Sequence, residues 1–103
     1  MLKFLAKLLF GFDSGKLKSA IEAGALLVDV RTPSEYASGH VRGSVNIPLD
    51  AISKNLGKFK NKEHIVVFCR SGARSAQAKT ILNQSGFQNV INGGSWSSVN
   101  KLV

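Results

Sequence analysis

The chain has a single cysteine, so it can close no internal disulfide, and burial must supply its stability. A lone thiol fits a reducing compartment, and a cytoplasmic location is expected. Acidic residues are scarce: six Asp and Glu stand against 14 Lys and Arg, a net charge of +8. That balance favours anionic partners. Nucleic acid is not expected, because one Tyr and one Trp offer little to stack on bases. The lysines are also scattered over 1–18 and 54–62 instead of forming one run. No apolar run approaches the roughly 20 residues of a membrane span. One cysteine and two distant histidines, His40 and His64, have no metal-ligand spacing, so neither metal nor cofactor is expected.

Residues 1–12 mix apolar side chains with Lys3 and Lys7. A signal core needs about 7–15 apolar residues and a small-residue cleavage site, and Lys7 breaks the run. Read as a helix, the segment gathers Leu2, Leu5 and Leu9 on one face, with Lys3 and Lys7 on another flank. The reading is a short helix packed on a domain over 13–103, with membrane or partner contact as the lesser alternative.

The rest of the chain alternates. Residues 14–23 read as a helix with Ser14 as its cap and Gly24 as its stop. Ala25 to Val30 is an unbroken apolar run ended by Asp29-Val30, the pattern of a strand covered on both faces. Thr32-Pro33-Ser34-Glu35 is a helix start: Thr32 caps, Pro33 occupies the first turn and Glu35 completes a capping box, a structural role. Val45 to Ile47 is a short strand closed by Pro48. Leu49, Ile52 and Leu56 fall at helical spacing, and 55–63 reads as a polar, lysine-rich loop. His64 to Phe68 is a second apolar strand, Arg74 to Gln84 a helix, Val90-Ile91 a brief strand, Gly93-Gly94 a turn, and 96–103 a polar tail with a helix as one option. This alternation predicts an α/β domain with a small, mostly parallel β-sheet flanked by helices. In such sheets, sites form at the carboxyl ends of the strands.

Cys69 stands at one of those ends. A free thiol has a pKa near 8.5 and is a poor nucleophile at neutral pH. Here Arg70 and Arg74 flank it, Gly72 permits a tight turn, Ala73 and Ser75 are small, and a helix opens just beyond. The amides from Arg70 to Ser75 can turn inward as an anion-binding nest beside the positive end of the helix. Together these features favour a thiolate. The sequence supplies no basic partner for it: His40, between Gly39 and Val41, reads as a locally packed imidazole, and Ser71, Ser75 and Ser95 belong to no Ser/His/Asp pattern.

Three ordered motifs resemble the rhodanese-like family. They are Leu27 to Tyr36 followed by Gly39 to Pro48, the loop Cys69-Arg70-Ser71-Gly72-Ala73-Arg74-Ser75, and Gly93-Gly94 followed by Trp96. They span residues 14 to about 98. The resemblance implies a single-domain thiosulfate sulfurtransferase. Cys69 would be the nucleophile and persulfide carrier, and the 70–75 amides would cradle the outer sulfur. Arg31 would bind the substrate anion, with Asp29 and Arg42 as supporting residues. The implied partners are a small anionic sulfur donor and a cyanide or thiol acceptor, including a thiol protein. Ser71 departs from the lysine of many two-domain thiosulfate enzymes, so the cationic role would fall to Arg70, Arg74 and Arg31. Two alternatives are a non-catalytic binding module and a cysteine-dependent phosphatase. The phosphatases place five residues between cysteine and arginine, whereas only Arg70 to Ala73 separate Cys69 from Arg74 here.

Overall fold

A computed structural model describes residues 14–103. The expected helix at 1–12 lies outside them. The elements run α1 (Ser14–Glu22), β1 (Leu26–Asp29), α2 (Pro33–Ala37), β2 (Val45–Asn46), two 3₁₀ segments (Leu49–Lys54 and Leu56–Phe59), β3 (Ile65–Cys69), α3 (Ala73–Gln84), β4 (Val90–Ser95) and α4 (Trp96–Asn100). The strands form one parallel sheet in the order β2-β1-β3-β4. This is the expected α/β architecture with helices on both faces.

The β3 run Ile-Val-Val-Phe-Cys explains the layering. Every residue of it is buried. Because side chains alternate across a strand, Ile65, Val67 and Cys69 face one layer and Val66 and Phe68 the other. The first layer is closed by Ala78 and Leu82 of α3 and by Ile52 and Phe59 of the 3₁₀ segments. The second is closed by Leu17 and Ala20 of α1 and by Val99 of α4. Each fully buried Val, Ile or Phe contributes about 1.5–3 kcal/mol of transfer free energy. The sheet is therefore anchored where β3 delivers its terminal cysteine.

Three local readings change. The helix expected at 49–56 is a pair of 3₁₀ turns, closed by i→i−3 bonds such as Asn55 N to Ile52 O (3.0 Å) and Lys58 N to Asn55 O (3.0 Å). The longer rise of 3₁₀ geometry, about 2.0 Å per residue, draws the segment along the sheet. It carries Phe59, in the stretch read as a polar loop, into full burial. The tail takes the helical option: α4 is capped by the Ser95 hydroxyl, and its Val99 is buried.

The last change concerns Gly93-Gly94, which is no turn. β4 continues through both glycines, and the register moves from Val67↔Asn92 to Phe68↔Gly94, so Gly93 is the extra residue of a bulge. A Cβ on Gly93 would lie 2.8 Å from Cγ2 of Val99 and 2.9 Å from Cγ1 of Val66. The bulge lets α4 close on the sheet, and Asn92 just before it reaches Gly72 O beyond the end of β3.

Candidate active site

Cys69 is the last residue of β3, paired in register with Ser95 of β4. Its side chain is fully buried, under a loop whose Arg70, Ser71 and Ala73 are exposed. Gly72 turns the chain with φ +104°, a left-handed conformation that favours glycine, and opens α3. That turn points the Gly72 amide at the sulfur, N···Sγ 3.0 Å. Ser75, buried one turn into α3, brings its hydroxyl to 3.5 Å from Sγ. Burial pushes the thiol's pKa up; the Ser75 hydroxyl and the amides of Ser75, Gly72 and Ser71 oppose it, and the balance lies below the ordinary thiol value. Of the amides expected to turn inward, that of Gly72 is hydrogen-bonded to the sulfur.

The cations are distributed differently from the expectation. Arg31 is almost fully buried. Its Nε lies 3.0 and 2.9 Å from the two carboxylate oxygens of Asp29, and its Nη2 lies 2.7 Å from Asp29 Oδ2. Nη2 also donates to Gly39 O at 2.7 Å. The Trp96 ring lies 4.6 Å from the guanidinium carbon. Arg31 thus ties β1 to the 39–40 turn and to α4, and its charge is already matched by Asp29. The substrate-anion role expected of it would fall to a guanidinium that is already paired to Asp29 and Gly39 O. Arg74 is likewise engaged: Nη1 and Nη2 meet Glu35 Oε1 and Oε2 at 2.8 and 3.1 Å. It clamps α3 to α2 and does not face the sulfur loop as an unpaired cation. Arg70 is exposed and makes no ion pair among the described residues. Arg42 is also exposed and makes no ion pair among them. His40 follows the sequence reading: its Nδ1 is 2.8 Å from Tyr36 O, and the ring stacks on Tyr36 at 3.8 Å.

A family model described as the Rhodanese-like domain matches residues 13–101. The chain belongs to the rhodanese-like family. A sulfurtransferase of Allochromatium vinosum is 40% identical to this rhodanese-like domain over 67 residues, 65% of this chain and 63% of that protein. The thiosulfate sulfurtransferase PspE of Escherichia coli is 36% identical over 69 residues, 65% of this chain and 66% of that protein. The matches thus span just under two thirds of these relatives' lengths. Among solved structures, a rhodanese with anions from E. coli superposes with a TM-score of 0.66 at 32% identity, covering 73% of this chain and 91% of that one. A rhodanese-like domain protein from Staphylococcus aureus gives 0.70 at 31% identity, covering 84% and 86%.

Two residues of this rhodanese-like site escaped the sequence reading. Asn92 is buried in β4 and bonded to the loop, and its signal was a lone amide in an apolar strand just before Gly93-Gly94. Glu35 was read only as a cap. The capping box is there, with Thr32 N donating to Oε1 at 3.0 Å, yet the same carboxylate also holds Arg74. That double use has a measurable consequence. The Arg74 hydrogen bond, followed by the Thr32 amide, lowers the Glu35 pKa from the usual 4.5 to about 2. A depressed folded-state pKa stabilises fully above the unfolded value and loses its contribution as pH falls through the folded one. Wild-type melting temperature is therefore expected to fall more steeply than that of Glu35→Gln between pH 4.5 and about 2. Thermal melts across this window check it, and parallel curves would contradict it.

Proposed function

We propose that the protein is a sulfurtransferase that moves a sulfane sulfur from thiosulfate, or a similar anionic donor, to a thiophilic acceptor through a persulfide on Cys69. One observation carries this reading: the sulfur ends a buried strand with the Gly72 N–H aimed at it from 3.0 Å. Such a donor suits a sulfur anion both before and after transfer.

In the first half-reaction the Cys69 thiolate attacks the outer sulfur of thiosulfate. A new S–S bond forms on Cys69, the S–S bond of thiosulfate breaks, and sulfite leaves with the bonding pair. The persulfide carries the negative charge on its outer sulfur, within reach of the loop amides. In the second half-reaction cyanide or a thiolate attacks that sulfur and Cys69 departs as thiolate. Neither step requires a general base once the thiolate exists, which fits His40 being turned to Tyr36. Because Cys69 has no exposed surface, donor access requires the 70–75 loop to move. A reducing, cytoplasmic setting suits a thiol that must stay free between turnovers.

The phosphatase alternative loses support because the arginine following the cysteine is bound to Glu35 and not turned into the loop. Intact mass after incubation with thiosulfate tests the proposal, through a cyanide-labile gain of one sulfur atom.

With Arg31 and Arg74 each paired to a carboxylate, donor-anion recognition in this reading falls to exposed Arg70 and the loop amides. Arg70→Ala is expected to raise KM for thiosulfate roughly 5- to 30-fold, the equivalent of about 1–2 kcal/mol, with an unchanged melting temperature. Steady-state kinetics with thiosulfate as the varied substrate check it; an unmoved KM would remove Arg70 from the site.

A further inference from the structure

Asn92 has one face on the catalytic loop and the other on the glycine bulge. Its Oδ1 accepts from Gly94 N at 2.9 Å, and its Nδ2 donates to Gly72 O at 3.2 Å. The first partner can only donate and the second can only accept, so the orientation of the amide is fixed by its neighbours. Oδ1 therefore also faces Ser75, whose Oγ lies 2.7 Å away. Two lone pairs cannot share that distance, so Ser75 gives its only hydroxyl proton to Asn92. The remaining contacts of Ser75 Oγ, to Gly72 O at 3.1 Å and to Cys69 Sγ at 3.5 Å, are longer.

We propose that Asn92 is a positioning residue for Cys69: it braces the Gly72 peptide so that its amide points at the sulfur, and it holds the Ser75 proton until the sulfur becomes an anion. In the thiol state the Cys69 S–H donates to Ser75 Oγ. When the thiol proton leaves to water, the Ser75 hydroxyl turns from Asn92 Oδ1 to Sγ, and Oγ draws back from Oδ1 because their 2.7 Å separation needs the proton between them. Oδ1 is not orphaned by this, because the Gly94 amide stays on it. The hydroxyl thus has two seats, and the charge on sulfur selects between them. The other charged groups at this end of the sheet are Asp29, Arg31 and Arg74; the first two are bound to each other and the third to Glu35. Exposed Arg70 completes the set, and none of these changes in the variants below.

The proposal rests on Cys69 being the reacting atom and not on any sulfur donor, so the test is alkylation of Cys69 by iodoacetamide as a function of pH. Asn92→Asp keeps the shape, holds the Ser75 proton more tightly as a charged acceptor, and sets an oxygen against Gly72 O. The alkylation midpoint is expected to rise by about one pH unit or more, a tenfold loss of thiolate at a fixed pH below both midpoints. In a Ser75→Ala background the shift caused by Asn92→Asp is expected to shrink to half or less, because the hydroxyl that relays it is gone. Asn92→Ser, which abandons Gly72 but retains a hydroxyl, is expected to raise the midpoint by a smaller amount and serves if the aspartate variant does not fold. A folded variant with an unmoved midpoint overturns the proposal. So does a shift of equal size with and without the Ser75 hydroxyl, which would be a field effect of the new charge alone. If alkylation behaves as expected while thiosulfate leaves no sulfur on the protein, the positioning role stands and the donor assignment falls.

Discussion

Cys69→Ala is expected to abolish sulfur transfer while leaving the fold intact. Incubated with thiosulfate, the wild-type protein should gain one sulfur atom and lose it to cyanide; the variant should show no gain and no thiocyanate production above the uncatalysed rate. The expectation of total loss follows from the chemistry. The sulfur is the covalent carrier, and Cys69 is the only cysteine of the chain. Ser75 is the nearest hydroxyl, but its proton is held by Asn92 and alcohols do not form persulfides. The fold should tolerate the change because the substitution removes one sulfur atom, a loss of about 1 kcal/mol by comparison with a buried methylene. A melting temperature within a few degrees of wild type together with lost transfer is thus the signature. Retained sulfur uptake by the alanine variant would end the Cys69 assignment, and absent uptake in the wild type would end the choice of thiosulfate as donor.

Phe59→Ala is expected to have the largest effect on stability. The residue ends the second 3₁₀ segment, in the lysine-rich stretch before β3, flanked by exposed Lys58 and Lys60. Its ring is nonetheless fully buried against the layer that contains Val67, Cys69 and Leu82, and it meets Phe87 at 6.1 Å with the rings tilted by 59°. Removing a buried phenyl ring costs about 3–5 kcal/mol through lost transfer free energy and the cavity left behind. Domains of this size hold only about 5–15 kcal/mol in total. Each kcal/mol moves the melting temperature by roughly 4–8 °C, so a drop of at least about 12 °C is expected. Lys60→Ala, one residue away and exposed, should stay within about 0.5 kcal/mol of wild type. Chemical denaturation with both variants checks the contrast; equal midpoints for the two would show that the ring anchors nothing.

The same stretch shows where sequence reasoning stops. Four lysines within 54–62 made a polar loop the natural reading, and one aromatic residue among them carried no periodicity. Burial of Phe59 depends on how far a 3₁₀ path carries it along the sheet, which is a property of the packed molecule. Gly93-Gly94 misled in a related way. Paired glycines mark turns, whereas here one glycine yields room to Val66 and Val99 and the other takes φ +81° within a strand.

What the sequence determined by itself is what neighbours in the chain can enforce. The strand–helix alternation follows from apolar runs and caps, and the α2 start follows from Thr32, Pro33 and Glu35 within a few residues. A thiol at a strand end beside a left-handed glycine follows from Cys69 and Gly72, three positions apart. Tertiary structure alone decided which charges and protons are already taken. Arg74 meets Glu35 across 39 positions, and Ser75 meets Asn92 across 17. Such partners are chosen by strand order, register and the bulge at Gly93, none of which is written in local spacing. A side chain's charge is visible in the sequence; whether a substrate finds it unoccupied depends on what the fold sets beside it.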